Sequence, residues 1–363
     1  MRRRATLTLS AELHPMELFE LTRKLIDIPS VTGDEGAVGK FLSAHLESLG
    51  YKVERQEVEK DRFNVIATSA APPRVVLSTH MDTVPPHITS SENDQWIFGR
   101  GACDAKGIIA AQIIAAETLR AEGNNEVGLL FTVDEEAGSD GARIANDSSR
   151  ARECEYLING EPTDNKLASA TKGSLRLTLT ATGRAVHSAY PELGASAIEK
   201  LLDVLNDIRK CQWPNDGRLG ETTCNIGVIS GGTRANVIPA EASAVLQLRL
   251  VSDAEAVKSI LESVIAERAE VEYLSVHNPV LLFTVAGLEQ CVVRFTTDIP
   301  YLARWGTPLL LGPGSIFKAH TDDECVSKRE LSEAVRLYVD LARRLLANQV
   351  VEQREPIAEG APQ

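Results

Sequence analysis

Arg74-Val75-Val76-Leu77-Ser78-Thr79-His80-Met81-Asp82 is a short apolar run that ends in a histidine and a carboxylate, and the same arrangement recurs along the chain. Val127-Gly128-Leu129-Leu130-Phe131-Thr132-Val133 leads to Glu135-Glu136, Tyr156-Leu157-Ile158 leads to Glu161, and Pro308-Leu309-Leu310-Leu311 leads to His320. Short, nearly continuous apolar runs bounded by polar or glycine residues predict strands buried on both faces of a sheet. Each polar residue then lies just past the carboxyl end of a strand, where open α/β sheets gather their sites. Asp104, which follows no such run, completes the series.

The residue types in that series predict chemistry. Two imidazoles and three carboxylates with no thiolate suit zinc, cobalt or manganese; calcium prefers all-oxygen shells and structural zinc takes cysteine. In an extended segment His80 and Asp82, at i and i+2, point to one side, so the Asp82 carboxylate can steer the imidazole. Adjacent Glu135 and Glu136 point to opposite sides of an extended chain, leaving one to bind metal and the other to handle protons. Taken singly, each has a plainer reading: a polar loop at His80, a solvated turn at Glu135-Glu136, a helix-capping region at Ala319–Glu324. Their joint order reads as a two-metal hydrolase site.

From about Lys172 to Leu282 the pattern changes. Alternating strands (Leu175–Thr180, Ala244–Leu250) and amphipathic helices near Ser196–Arg209 and Ala254–Glu267 give roughly β-α-β-β-α-β, a ferredoxin-like unit. It falls between Glu161 and His320, so it reads as an insertion. The expected architecture is an α/β catalytic domain with a mostly parallel mixed sheet over 1–171 and 283–351, interrupted by the inserted domain over 172–282. A disordered tail is expected over 352–363, which is polar and carries Pro356 and Pro362.

His80-Met81-Asp82-Thr83-Val84-Pro85, Gly99-Arg100-Gly101-Ala102-Cys103-Asp104-Ala105-Lys106-Gly107, Thr132-Val133-Asp134-Glu135-Glu136, Glu161-Pro162-Thr163 and Gly312-Pro313-Gly314-Ser315 before Ala319-His320-Thr321 together resemble the M20 metallopeptidases. The resemblance runs from about Leu18 to Leu346 and is strongest to the acetylornithine deacetylase and succinyl-diaminopimelate desuccinylase branch, with carboxypeptidase G2 a relative. It implies that Asp104 bridges two metals, with His80 and Glu161 on one and Glu136 and His320 on the other, and that Glu135 is the general base. It further implies Zn2+, two ions per subunit, with Co2+ able to substitute, and a cis peptide at Asp104-Ala105. The inserted domain becomes a dimerisation or lid domain of a homodimer. Gly183–Pro191 matches the segment whose histidine, here His187, reaches the partner subunit's site as an oxyanion donor. Arg249 and Asn236 match positions that hold the substrate's α-carboxylate or the oxyanion; Lys172-Gly173 and Gly314-Ser315 are candidates for lining the pocket, with loop chemistry as their plainer reading. Arg249 on a strand and His187 at a strand end have plainer readings as exposed residues.

The resemblance therefore implies removal of a small acyl group from an N-acyl amino acid, a linear non-peptide amide, with acetylornithine first and arginine biosynthesis as its setting. An M20 dipeptidase or carboxypeptidase is the alternative, since the same site cleaves any amide beside a free carboxylate. A non-catalytic binding homologue is a third reading, against which stands the presence of every ligand and of Glu135. Cys103 beside Asp104 is expected to make the site sensitive to oxidation.

Composition narrows the field. With 363 residues, 43% hydrophobic and 25% charged, the chain can bury two domains' worth of core. A net charge of -13 argues against nucleic-acid and anionic-membrane partners. Six cysteines scattered without a Cys-x-x-Cys fit free thiols in a reducing cytoplasm. Met1-Arg2-Arg3-Arg4 is basic, but Glu12 and His14 interrupt before any apolar stretch, so secretion is not expected. Gly312–Ser315 lacks the Gly-Lys of a phosphate loop, Gly231-Gly232 reads as a turn, and His14, His45, His87 and His277 lack a partner motif.

Overall fold

A computed structural model describes residues 15–349; the expected tail, His14 and the basic Met1–Arg4 lie outside them. In chain order the main elements are α1 (Pro15–Asp27), α2 (Gly36–Ser48), β1 (Lys52–Glu59), β2 (Arg62–Thr68), β3 (Val75–His80), α3 (Lys106–Ala121), β4 (Val127–Thr132), α4 (Asp140–Ala145) and β5 (Tyr156–Asn159). Then come β6 (Gly173–Thr182), α5 (Ala197–Ile208), β7 (Thr223–Gly231), β8 (Glu241–Leu250), α6 (Ala254–Ile265), β9 (Glu270–His277), β10 (Thr307–Leu310) and α7 (Lys328–Leu346). They form two compact units. Of the described residues, one holds 15–168, Leu282–Cys291 and 297–349; the other holds Ser169–Leu281 and the returning stretch Val292–Thr296, which the sequence reading assigns to the catalytic domain.

The first unit is built on a six-stranded sheet in the order β1-β2-β4-β3-β5-β10. β1, β2 and β4 pair antiparallel, whereas β4–β3, β3–β5 and β5–β10 are parallel. Every residue of β3 and β4 is buried, because alternate side chains feed two separate cores. Val75, Leu77, Leu129, Phe131 and Ile158 pack with α1, α2, α3 and α7, while Val76, Leu130 and Leu157 meet α4 and Trp305 on the other face. That two-sided burial is why these strands read as unbroken apolar runs. Their parallel pairing brings the carboxyl ends of β3, β4, β5 and β10 to one edge.

The second unit is a four-stranded antiparallel sheet in the order β7-β8-β6-β9. Among the described residues one face carries the core: Leu175, Leu177 and Leu179 of β6 and Leu246, Leu248 and Leu250 of β8 pack on the apolar sides of α5 and α6. The open face leaves alternate residues of β8 half-buried, the pattern expected of a one-sided sheet. The strand and helix order is that of a ferredoxin-like unit, so the α/β fold with an inserted domain holds in both parts. Among the described residues no helix is long and apolar enough to cross a membrane.

Candidate active site

His80 is the last residue of β3, Glu135 and Glu136 follow β4, Glu161 follows β5, His320 lies beyond β10, and Asp104 stands two residues before Lys106, where α3 starts. Ligating atoms of His80, Asp104 and Glu161 lie within 4.8 Å of one another, and so do those of Asp104, Glu136 and His320. Asp104 belongs to both groups. Its Oδ1 is 2.9 Å from His80 Nε2 and its Oδ2 is 3.3 Å from His320 Nε2, while Glu136 Oε1 is 2.8 Å from the same His320 nitrogen. The Asp104-Ala105 peptide is cis.

The electrostatics of this cluster follow from crowding several carboxyls in a dry place. Burial pushes Glu135, Glu136 and Glu161 upward, and neighbouring carboxylates add to it: Glu161 and Glu136 for Glu135, Asp104 for Glu136, and Asp104 and Glu136 for Glu161. Burial pulls His80 down, but Asp104 and Asp82 outweigh it and raise the imidazole well above its ordinary value. Hydrogen bonds to Asp104 and Glu136 raise His320 to about 10. Burial acts against Asp104, yet the two histidines hold its carboxyl below the usual range. One oxygen of Glu161, Oε1, is buried with no hydrogen-bond partner. Such excess negative charge around imidazole and orphaned carboxylate donors fits a pair of divalent cations.

Asp82 does more than the sequence predicts. His80 Nδ1 is 3.0 Å from the Asp82 backbone carbonyl oxygen and 3.4 Å from its carboxylate, so the main chain orients the ring first. The carboxylate instead accepts the backbone N–H groups of Glu135 and Glu136, each at 3.1 Å, and the Thr32 hydroxyl at 2.9 Å. Glu135 and Glu136 therefore stand in a turn, not in the extended chain expected from their adjacency. The turn begins at Asp134, whose φ of 73° is left-handed and whose carbonyl accepts the Ser139 N–H at 2.6 Å.

Several residues that position the site escaped the sequence reading. Glu324 Oε1 accepts the backbone N–H groups of Gly101, Cys103 and Asp104 at 3.0, 3.2 and 3.2 Å, and its Oε2 takes Arg100 Nη1 at 2.7 Å. Both side chains are buried, so this pair ties the Asp104 loop to the His320 segment. The signal was present: Arg100 stands inside the Gly99–Gly107 motif and Glu324 ends the acidic run after His320. Asp298 gave no signal. It is buried, accepts the Thr132 hydroxyl at 2.7 Å, and adds negative charge beside Glu135 and Glu161.

One expectation is corrected. Cys103 is fully buried, and burial with Glu324 and Asp104 nearby pushes its thiol far up; the thiolate that oxidants attack is suppressed, so Cys103 is no oxidation trigger. Gly314, a pocket position in the sequence reading, is buried with φ 85°, and a Cβ there would stand 2.5 Å from Cys103 Cβ. Backbone fit explains this glycine.

The remaining candidates belong to the second unit. His187 is exposed, and its Nδ1 accepts the Ala189 N–H at 3.1 Å. The His187 and Asn236 segments pair: Ser188 N–H donates to the Asn236 carbonyl at 3.0 Å and Ile238 N–H to that of Val186 at 2.9 Å. Arg249 lies on β8, half-buried, its guanidinium lowered by burial with no acidic neighbour offsetting it. Lys172 is buried and donates to the Glu221 carbonyl.

Comparisons with known proteins agree with this geometry. The M20 peptidase dimerisation domain matches residues 169–274, and the profile of peptidase family M28 matches 64–198. The chain is 39% identical over 332 residues to a peptidase M20 domain-containing protein of Schizosaccharomyces pombe, spanning 88% of this chain and 83% of that one. It is 38% identical over 371 residues to a probable carboxypeptidase of Emericella nidulans, spanning 88% of each. Aminopeptidase PepT of Bacillus cereus shares the fold with a TM-score of 0.75 at 21% identity, over 92% of this chain and 99% of that one. A dinuclear metal-binding M20 peptidase of Bacillus subtilis does so with a TM-score of 0.67 at 15% identity, over 93% and 99%. Identity near two-fifths across most of both chains, in a fold shared with solved M20 enzymes, makes this chain a member of the M20 family of metallopeptidases.

Proposed function

We propose that this protein is a two-metal exopeptidase of the carboxypeptidase or dipeptidase kind, hydrolysing the amide bond beside a free carboxylate. The observation that carries the reading is the pair of ligand groups sharing Asp104, with Glu135 held next to them by Asp82. Relatives named as peptidases and a probable carboxypeptidase over nearly the whole chain favour peptide substrates over the N-acetyl amino acid expected from sequence. Zn2+ is the proposed metal, with Co2+ as substitute, held by His80, Asp104 and Glu161 on one side and Asp104, Glu136 and His320 on the other. When bound, two such ions lower the pKa of water and polarise the scissile carbonyl.

The chain's own residues supply the rest. Glu135, pushed up by burial and by Glu161, accepts the proton of the attacking water and passes it to the leaving amine. Asp82 fixes the backbone of Glu135 and orients His80. A guanidinium such as Arg249, lacking an acidic neighbour, suits a substrate carboxylate, and His187 and Asn236 retain their proposed oxyanion role by resemblance. A homodimer formed through the second unit is part of the reading. Its support is the dimerisation-domain match and the exposed Val228 and Ile229 on the edge strand β7.

The test is release of free amine from dipeptides, N-blocked dipeptides with free carboxylates, carboxyl-amidated peptides and N-acetylornithine, using metal-free protein with and without added zinc or cobalt. Metal-dependent cleavage that requires the free carboxylate is the expected result. Turnover of N-acetylornithine alone returns the protein to the deacylases, and no turnover with both ions bound removes the catalytic reading.

A further inference from the structure

Glu35 occupies the position just before α2, yet its side chain does not cap that helix. Its carboxylate, fully buried, instead receives Arg62 Nε at 2.6 Å and Arg62 Nη2 at 2.8 Å, together with the Gly33 N–H at 3.1 Å. The same Nη2 reaches across to Asp134 Oδ1 at 2.9 Å. The other Asp134 oxygen accepts the N–H groups of Gly138 and Asp140 at 3.1 and 3.3 Å. One guanidinium thus joins the segment before α2 to the turn that carries Glu135 and Glu136.

The circuit closes on itself. Three residues before Glu35, the Thr32 hydroxyl donates to Asp82, and Asp82 accepts the Glu135 and Glu136 N–H groups from the opposite side of the turn. Ser30 and Thr32 also bond to the backbone of Met81 and Thr83, stitching the same segment to the stretch after His80. A purely structural role does not ask for this arrangement, because a buried ion pair carries a desolvation cost that apolar packing avoids. The remaining nitrogen, Nη1, donates to the exposed Glu59 carboxylate at 2.9 Å; what the planar fork between the two less exposed carboxylates, Glu35 and Asp134, provides is fixed geometry at a left-handed aspartate.

We propose that Arg62, fixed by Glu35, is a positioning residue that holds the Asp134–Ser139 turn so that Glu136 and Glu135 keep their places as metal ligand and proton carrier. The inference rests on the metallopeptidase reading only through those two roles. It touches no substrate and no ligating atom directly. Its effect should therefore be selective: the Glu136 and His320 ion position depends on the turn, whereas His80 and Glu161 hang from β3 and β5.

The test uses full-length Arg62→Lys, which keeps the charge and loses the fork, beside Glu35→Gln. Zinc titration of the metal-free protein, thermal unfolding and steady-state kinetics are read together. One of the two zinc affinities is expected to fall about 10- to 100-fold with the other unchanged, and kcat to fall by a similar factor with KM close to the parent's. A lowered melting temperature with both affinities and kcat retained overturns the proposal, as does equal weakening of both ions. If Arg62→Lys does not fold, Glu35→Gln is judged by the same criteria. Because zinc titration needs no substrate, a parent that binds two ions and cleaves no peptide fails the functional reading without deciding this one.

Discussion

Half-buried Glu135 and buried Asp298 are neighbouring acids with separable consequences. Glu135→Ala should lower turnover roughly 10²- to 10⁴-fold while both metal affinities persist, since it supplies proton transfer and belongs to neither ligand group; parallel rate and zinc-binding measurements check this. For Asp298, burial pushes the carboxyl up to about 6, against the Thr132 and Ser139 hydrogen bonds, and its Oδ1 is left unpartnered. Between about pH 4 and pH 6 the native state then keeps a proton that the unfolded chain has released. Stability should fall as pH rises through that window, by on the order of 3 kcal/mol. Urea unfolding of metal-free protein across pH 4 to 7 should show a shallower fall in Asp298→Asn than in the parent, the remaining slope belonging to the other raised groups, Glu135, Glu136, Glu161, His80 and His320. Identical pH slopes for the two would exclude Asp298 as its source.

The segment between β10 and α7 shows how an element's ends are set by local chemistry and its path by packing. Ser327 caps α7 by accepting the Glu330 N–H at 3.4 Å, a capping box visible in the sequence as Ser327-Lys328-Arg329-Glu330. Gly314 bends the chain leading to His320 in a conformation with no room for a side chain. Gly314→Ala should therefore cost about 1–3 kcal/mol through overpacking. It should also weaken the ion held by His320, because relief of the clash with Cys103 must move the loop. Ser327→Ala should cost about 1 kcal/mol and leave zinc binding alone. Denaturant midpoints paired with zinc titrations distinguish the two, and a Gly314→Ala protein with parental values in both would contradict the packing argument.

At the scale of the whole molecule, the catalytic unit assembles its site from the ends of β3, β4, β5 and β10, so bound cations should stabilise it against unfolding. Removing metal with a chelator should lower the melting temperature, and restoring zinc at about a thousand times each site's dissociation constant should return roughly 4 kcal/mol for each ion bound. Scanning calorimetry against free zinc concentration checks the logarithmic dependence. A melting temperature indifferent to zinc would mean that the ligand groups do not bind it in the native state.

The sequence by itself determined the strands, the two-domain plan and the order of the ligand candidates, because each leaves a local mark. A strand buried on both faces must be apolar throughout, a one-sided strand must alternate, and residues just past such runs fall at the sheet's carboxyl edge. Tertiary structure alone decided who holds whom. Arg62 reaches Glu35 and Asp134 from 27 and 72 residues away, Thr132 meets Asp298 across 166, and Asp104 N–H finds Glu324 across 220. A single charged residue has no period and no preferred neighbour in sequence; its partner is fixed only when folding brings distant backbone together in a place too dry to leave either group alone.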